Sequence, residues 1–471
     1  MSLPAVFEPF VRQSPWAVMV RGVLERAFSD QVFDTLFRCF ARDQHCRKLL
    51  FSTCVDLMVD VVTRVQPSLG ASIRNKKQLL PVRTDCIYRK IAGLEDDVVT
   101  AAVAVTADDL ASVVDEVGGA LPALVPGTRT LVLDANHLRA VQHRIKPLQG
   151  LRQAALPGTA VAILDADRRL FIEIFLLQDG HASEMQVLAK IPPRLKANDL
   201  ILADRGFCNR DLAAGIEDRQ AFFLLRQHAT RFPLKLLGER EFAGEIDSGR
   251  VYEQLAQYRA GDTWRTVRRI TVELHQPTRN KDKVLHLLSN LPQEVIDPAT
   301  GQAVAVTAVT IAEGYRQRWT IETAFHALTV QLNCELDTLA YPPAALFGFC
   351  VAAMCYNAYS AAMGAVRGHY GAQRAQQEFS SYYMANDVRA VWTGMHIAIP
   401  ENQWTAVFGG LTLPELAAVL LNLASQIDPK RYQKAKTRPH PPPKKGSTNR
   451  ARAKHTSVMK ELKKHKPDAS T

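Results

Sequence analysis

The stretch TRTLVLDA, residues 128–135, is a β-branched, apolar run that ends on an acid, Asp134. Such a run fits a strand buried on both faces, as in sheets flanked by helices. The pattern returns at 198–207, NDLILADRGF, where Asp204 closes the apolar part. Between the two, TAVAILDAD and RLFIEIFLLQ read as strands joined by a tight turn at 167–169. SEMQVLAKI reads as a short helix, CNRDLAAGIEDRQ as another and AFFLLR as a fifth strand. The order β-β-β-α-β-α-β predicts an α/β domain whose sheet mixes an antiparallel hairpin edge with parallel crossover strands.

Working outward, residues 1–118 read as a helical N-terminal domain. LFRCFARDQHCRKLLFSTCVDLMVDVVTRV is read as one element ended by Pro67 and Gly70, and TDCIYRKIAGL as another that follows Thr84. Arg83, Tyr88, Arg89 and Lys90 fit either a helix-turn-helix that contacts DNA or a plain bundle with a solvated basic face. Core residues at 128–228 and 303–341 enclose a β-rich segment, 229–302, with strands in VYEQLAQYRA, TWRTVRRITVELHQ and KVLHLLSNLP. One long helix is expected from Thr307 to Leu332, and further helices at 342–428. The uncharged run Ala344–Val366 is long enough to span a bilayer. Its Asn357, Tyr356, Tyr359 and Ser360 instead predict a buried core helix, so no membrane partner is expected.

The eight cysteines include no C-x2-C pair, which argues against a zinc staple or a redox motif. Scattered thiols without a basic leader suit a reducing cytoplasm. The chain has 471 residues and a net charge of +11. Residues 430–471 hold 14 Lys and Arg against Glu461 and Asp468, so the rest of the chain is near neutral. Residues 429–471 therefore read as a basic, disordered tail that adds salt-dependent affinity for nucleic acid.

Three carboxylates carry the chemistry. If the strands ending at Asp134 and Asp204 are neighbours, their axes lie about 4.8 Å apart. The two acids then repel unless a proton or a cation intervenes, and hard oxygen ligands suit Mg2+ or Mn2+. A lone aspartate at a strand end is more often a turn or cap residue. In YRQRWTIETAFHALT, Tyr315, Arg318, Glu322 and Thr329 fall on one helical stripe, which fits either a site or a surface row with one Arg318–Glu322 pair.

Asp134, Asp204 in the setting DRGF, and Y-x2-R-x3-E together resemble the DDE transposases of bacterial insertion sequences, in the group usually numbered four. The resemblance covers roughly residues 30–430 and includes PLQGLRQAALPGTAVAILDADRRL, LLQDGHASEMQVL, FFLLRQH and LLSNLP. It implies an RNase H-like core with a β-strand insertion between the second Asp and the Glu. Those residues stand 118 apart here, against 70 between the two aspartates. The family signature ends in a Lys where this chain has Thr329, and His326, one turn beyond Glu322, is a partial substitute.

The resemblance further implies cleavage of DNA at element ends and joining of the 3′-OH to target DNA. Two divalent ions would be held by Asp134, Asp204 and Glu322, with Asp134 bridging. Tyr315, Arg318, Arg205 and Arg226 would contact DNA phosphates, with a structural ion pair as the alternative for Arg226. Trp264 and Trp319 are candidates for stacking on a flipped base, though Trp319 also fits a core position. His137 and His181 read as satisfied loop histidines. Double-stranded DNA, a homodimer on paired ends built through residues 342–428, and a bacterial, nucleoid-associated location complete the expectation. Competing readings are a DNA-binding relic and a host nuclease.

Overall fold

The computed structural model describes residues 3–45, 48–278, 281–435 and 455–465. The N-terminal part is helical: α1 (Pro15–Ala27), α2 (Asp30–Phe40), α3 (Phe51–Val62), α4 (Thr84–Ala92) and α5 (Asp96–Glu116). The single element expected over 36–65 is therefore two helices, one ending at Phe40 and the next beginning at Phe51. The helix-turn-helix reading of α4 gains nothing. Arg83 and Arg89 pair with Asp85, while Lys90 lies over the Phe37 ring at 3.8 Å.

The centre is a nine-stranded sheet ordered β4-β3-β1-β5-β6-β10-β9-β8-β7. Its strands are β1 (Arg129–His137), β3 (Thr159–Asp165), β4 (Leu170–Leu177), β5 (Asp199–Ala203), β6 (Phe222–Arg226), β7 (Lys235–Ile246), β8 (Gly249–Ala260), β9 (Thr263–Leu274) and β10 (Val284–Ser289). A short strand β2 (Ala154–Leu156) lies outside it. As expected, β3 and β4 form an antiparallel hairpin, and β1, β5 and β6 run parallel. The insertion strands continue this sheet through antiparallel pairing of β10 with β6. Strand β7 escapes sequence reading because Gly238, Gly244 and a charged run break its alternation. An edge strand tolerates such charges.

The helix expected at SEMQVLAKI is a 3₁₀ turn, Glu184–Lys190. Pro192 and Pro193, which cannot donate backbone hydrogen bonds, stop any extension. Helix α6 (Arg210–Glu217) follows β5 as predicted.

Successive residues of β1 point to opposite faces. Leu131 and Leu133 pack with Ile201, Ala203, Phe223 and α6 on one side. Val132 packs with Leu202, Leu224 and a large helical layer on the other. That layer centres on α9 (Pro342–Tyr370), which touches α1, α3, α5, β4 and α11 (Leu413–Ser425). Helix α10 (Ser381–Ala398) completes it. The N-terminal and C-terminal helices, separate in the sequence, thus share one core. Helix α9 is long and apolar enough to cross a membrane, yet 83% of its most apolar window is buried in the protein. Asn357, fully buried at its middle, binds edge strand β4 with both side-chain ends: Nδ2 donates to the Phe171 carbonyl and Oδ1 accepts from the Phe171 amide, each at 2.8 Å.

Of the disordered tail expected at 429–471, residues 436–454 and 466–471 lie outside the described residues, and the described remainder is ordered, which corrects the expectation there. Tyr432 is buried and donates to Asp387, which also pairs with Arg431. Residues 455–465 form strand β13 (His455–Ser457) and helix α12 (Val458–Lys464), with β13 parallel to β2. A small ribbon of β11 (Glu294–Ile296) and β12 (Ala303–Ala305) precedes the signature helix. The long helix expected from Thr307 is broken: α7 (Ala308–Gly314) and α8 (Trp319–Val330) flank a 3₁₀ turn at Tyr315–Arg318.

Candidate active site

Pairing of Leu133 with Ala203 puts Asp134 and Asp204 side by side at the carboxyl ends of β1 and β5. Parity decides their direction. Asp134 follows Leu133 as Val132 precedes it, and Asp204 stands in the same relation to Leu202. Both carboxylates therefore face the helical side, where α8 lies with Ile321, Phe325 and Leu328 buried against the core. α/β sheets place their sites at this end of parallel strands.

The 3₁₀ turn sharpens the signature stripe. At three residues per turn, Tyr315 and Arg318 eclipse one another, and Glu322 follows one α-turn later. The Tyr315 hydroxyl donates to the Ala203 carbonyl at 3.4 Å, which ties α8's entry to β5 just before Asp204. Arg318 is 12% exposed and bridges two acids, with Nη1 3.4 Å from Asp134 Oδ2 and Nη2 2.7 Å from Glu322 Oε1. Arg318 thus sits between two predicted metal ligands, and it also covers the Trp319 ring at 5.0 Å.

The Asp134 carboxyl is pushed up to about 6. Burial is the main cause, Asp204 and Glu322 add to it, and the amide of Ala135 and the Arg318 guanidinium oppose it. Burial pushes the Tyr315 hydroxyl well above its ordinary range. The Arg318 guanidinium is raised despite a large opposing cost of burial, through Tyr315, Glu322 and Asp134.

A fourth carboxylate, Glu184, stands beside Asp204. Gly206 separates them: a Cβ there would lie 3.0 Å from Asp204 Oδ1 and 3.7 Å from Glu184 Oε2. The Gly206 amide donates to Asp204 Oδ1 at 2.7 Å. His137 is held by Thr159 Oγ1 at 2.8 Å and Glu184 Oε1 at 3.4 Å, and Glu184 raises its ring pKa. Sequence reading missed Glu184, although its Ser183-Glu184 pair opens the turn that follows β4.

The donor chemistry fits hard divalent ions: carboxylate oxygens, an acid raised chiefly by burial with Asp204 and Glu322 adding to it, and a space beside Asp204 that a Cβ would fill. Among the described residues, no three acidic, histidine or cysteine side chains form a preformed metal cage. The guanidinium between Asp134 and Glu322 is the cation that this arrangement holds.

The other predicted contacts separate. Arg205 and His326 are exposed. Arg226 binds Asp282 at 2.8 Å, the structural pair left open by the sequence. Arg265 and Arg268, in the insertion strands, are used structurally: Arg265 binds Glu217 and Asp218, and Arg268 binds Glu253 and two backbone carbonyls. Trp319 is 59% exposed and Trp264 54%, so neither is a core residue. Thr329 spends its hydroxyl on the Phe325 carbonyl and lines a cavity of about 420 Å³ with Arg64, Arg139 and Glu335.

A mixed α/β sheet carrying acids at the ends of two adjacent parallel strands, faced by the helix that carries Glu322, defines the class of fold and site. Residues 126–358 match the family model of the transposase DDE domain, a span that takes in Asp134, Asp204 and Glu322. The fold is also similar to the piggyBac transposase in a synaptic complex with hairpin DNA, with a TM-score of 0.37 and 12% identity over 87% of this chain and 85% of that one. No curated protein sequence matches the chain.

Proposed function

We propose that the protein is a DNA transposase of the bacterial insertion-sequence type, cutting element ends and joining the 3′-OH to target DNA. The supporting observation is that Asp134 and Asp204 lie together on one sheet face while Arg318 links Asp134 to Glu322. Two divalent ions, Mg2+ or Mn2+, supply Lewis-acid activation of the attacking and leaving oxygens when bound. Asp134, Asp204 and Glu322 would hold them. Tyr315 and Arg318 stand beside these acids, where a guanidinium can pair bidentately with a DNA phosphate. Arg205 and His326 offer further contacts from the surface, whereas Arg226 is committed to Asp282. A homodimer on paired ends belongs to the same proposal.

The test is cleavage of a duplex carrying the inverted repeats that flank the gene. Wild-type protein with Mg2+ should nick it, and Asp134→Ala should bind it but leave it intact. Cleavage by Asp134→Ala would overturn the reading, and binding without cleavage by wild type would assign a relic.

A further inference from the structure

The net charge of the chain resides largely in its last 42 residues, and part of that segment is folded against the core. Strand β13 adds to β2, and Val458 is fully buried with Val141, Leu148, Ala155 and Ala340. Lys460 reaches Asp179 at 3.6 Å in the loop after β4, and buried Glu461 is satisfied by Thr456 and Lys464. The helix packs on Lys146–Leu148 of the loop that leaves β1. That loop, residues 138–158, contains Arg139, Arg144, Lys146 and Arg152 and no Asp or Glu.

Docking therefore joins two basic segments. Arg144, Lys146 and Arg152 on the loop and Lys460, Lys463 and Lys464 on α12 are all exposed. Among the described residues, Arg144, Lys146, Arg152 and Lys463 have no ion-pair partner. Clustered, uncompensated cations on a folded body that is otherwise near neutral raise the local positive potential and attract a polyanion. The loop begins one residue beyond His137, at the sheet end that carries Asp134 and Asp204.

We infer that the docked C-terminal segment and loop 138–158 form a composite surface that binds the phosphate backbone of double-stranded DNA beside the carboxylate site. This rests on the transposase reading for its ligand but not on the chemistry at Asp134. Val458 and Leu462 act as anchors, so the cations work from a fixed geometry and not as a loose tail.

The experiment measures the affinity of the full chain for a random-sequence duplex as a function of salt. Neutralising Arg144, Lys146, Arg152 and Lys463 together to Gln should leave Tm unchanged and reduce the magnitude of the log K against log salt slope by about 3 to 4. Val458→Asp keeps every cation but undocks the helix, and should weaken binding about tenfold at physiological salt. A wild-type slope in the quadruple variant overturns the surface, and wild-type affinity in Val458→Asp overturns the role of docking. Wild-type protein that binds anionic phospholipid vesicles in place of duplex assigns the patch to a membrane and overturns the inference. Reduced slopes in a protein that never cleaves DNA would overturn the transposase reading alone.

Discussion

The Arg318 guanidinium lies 3.4 Å from the Asp134 carboxylate, at the point where two acids on adjacent strands meet a third from α8. Without a cation, three converging carboxylates would repel, so this arginine keeps the metal-free fold assembled. The same side chain then has two roles in the proposed reaction: counter-ion of the empty site and phosphate contact of the loaded one.

Arg318→Gln should therefore destabilise the metal-free protein. Breaking a fully buried pair costs about 3–5 kcal/mol. Glu322 is 39% exposed, which screens its share, so a loss of about 1–3 kcal/mol is expected. Thermal melts in a chelator should show the drop, and Mn2+ should raise Tm more in the variant than in wild type. An unchanged melt in chelator would show that Arg318 is not the counter-ion.

Asp134 predicts a pH dependence. Its folded value of about 6 lies above the ordinary 3.8, so the native state favours the protonated form. That stabilisation is complete below about pH 4 and is lost as pH rises through 6. Asp134→Asn should leave the metal-free protein more stable than wild type at pH 7 by roughly 1–3 kcal/mol, with the gap closing near pH 4. Asp167, also pushed up to about 6 chiefly by burial, is common to both proteins and cancels. Urea denaturation at the two pH values measures the difference.

Asn357 shows how a sequence oddity becomes a structural device. An uncharged 23-residue run with one buried amide is costly unless that amide is satisfied, and here it closes both backbone bonds of Phe171 on an edge strand. Asn357→Ala leaves two buried backbone groups unpaired, which should cost about 2–5 kcal/mol in chemical denaturation. Asn357→Asp keeps the acceptor for the Phe171 amide but sets a buried carboxylate oxygen against the Phe171 carbonyl, so it should cost at least as much as Asn357→Ala.

The geometry of the candidate site was readable in the sequence because it depends on period. Two apolar runs ending on acids place those acids by strand parity, and the spacing of Tyr315, Arg318 and Glu322 survives the change from α to 3₁₀. The departures come from tertiary context. Strand β7 has no alternation because an edge strand needs none, and the helix expected at SEMQVLAKI yields to the prolines behind it. The docking of 455–465 depends on pairing with β2, some 300 residues earlier in the chain. Charge composition alone reads that segment as a solvated tail. Glu184 is likewise brought to Asp204 only by the turn after β4.

Tyr315→Phe removes one long hydrogen bond, 3.4 Å to the Ala203 carbonyl. Stability should fall by less than about 1 kcal/mol. If the hydroxyl also meets a DNA phosphate, single-turnover cleavage should slow about tenfold while duplex affinity changes little.

Gly206 gives the most direct probe of how tightly the site is built. A methyl group there would sit 3.0 Å from Asp204 Oδ1, in the space between that acid and Glu184. Its backbone is not in the left-handed region, so Ala introduces no backbone strain there. The change acts on the carboxylate, which must move by a few tenths of an ångström or lose the bond from the Gly206 amide. Gly206→Ala should therefore leave Tm within about 2 °C of wild type, as a near-neutral substitution does. Mn2+ affinity, measured by calorimetry without DNA, should fall about tenfold, as for lost supporting contacts around metal ligands. Unchanged Mn2+ affinity would show that Asp204 does not hold the ion in the position its Gly206 hydrogen bond fixes.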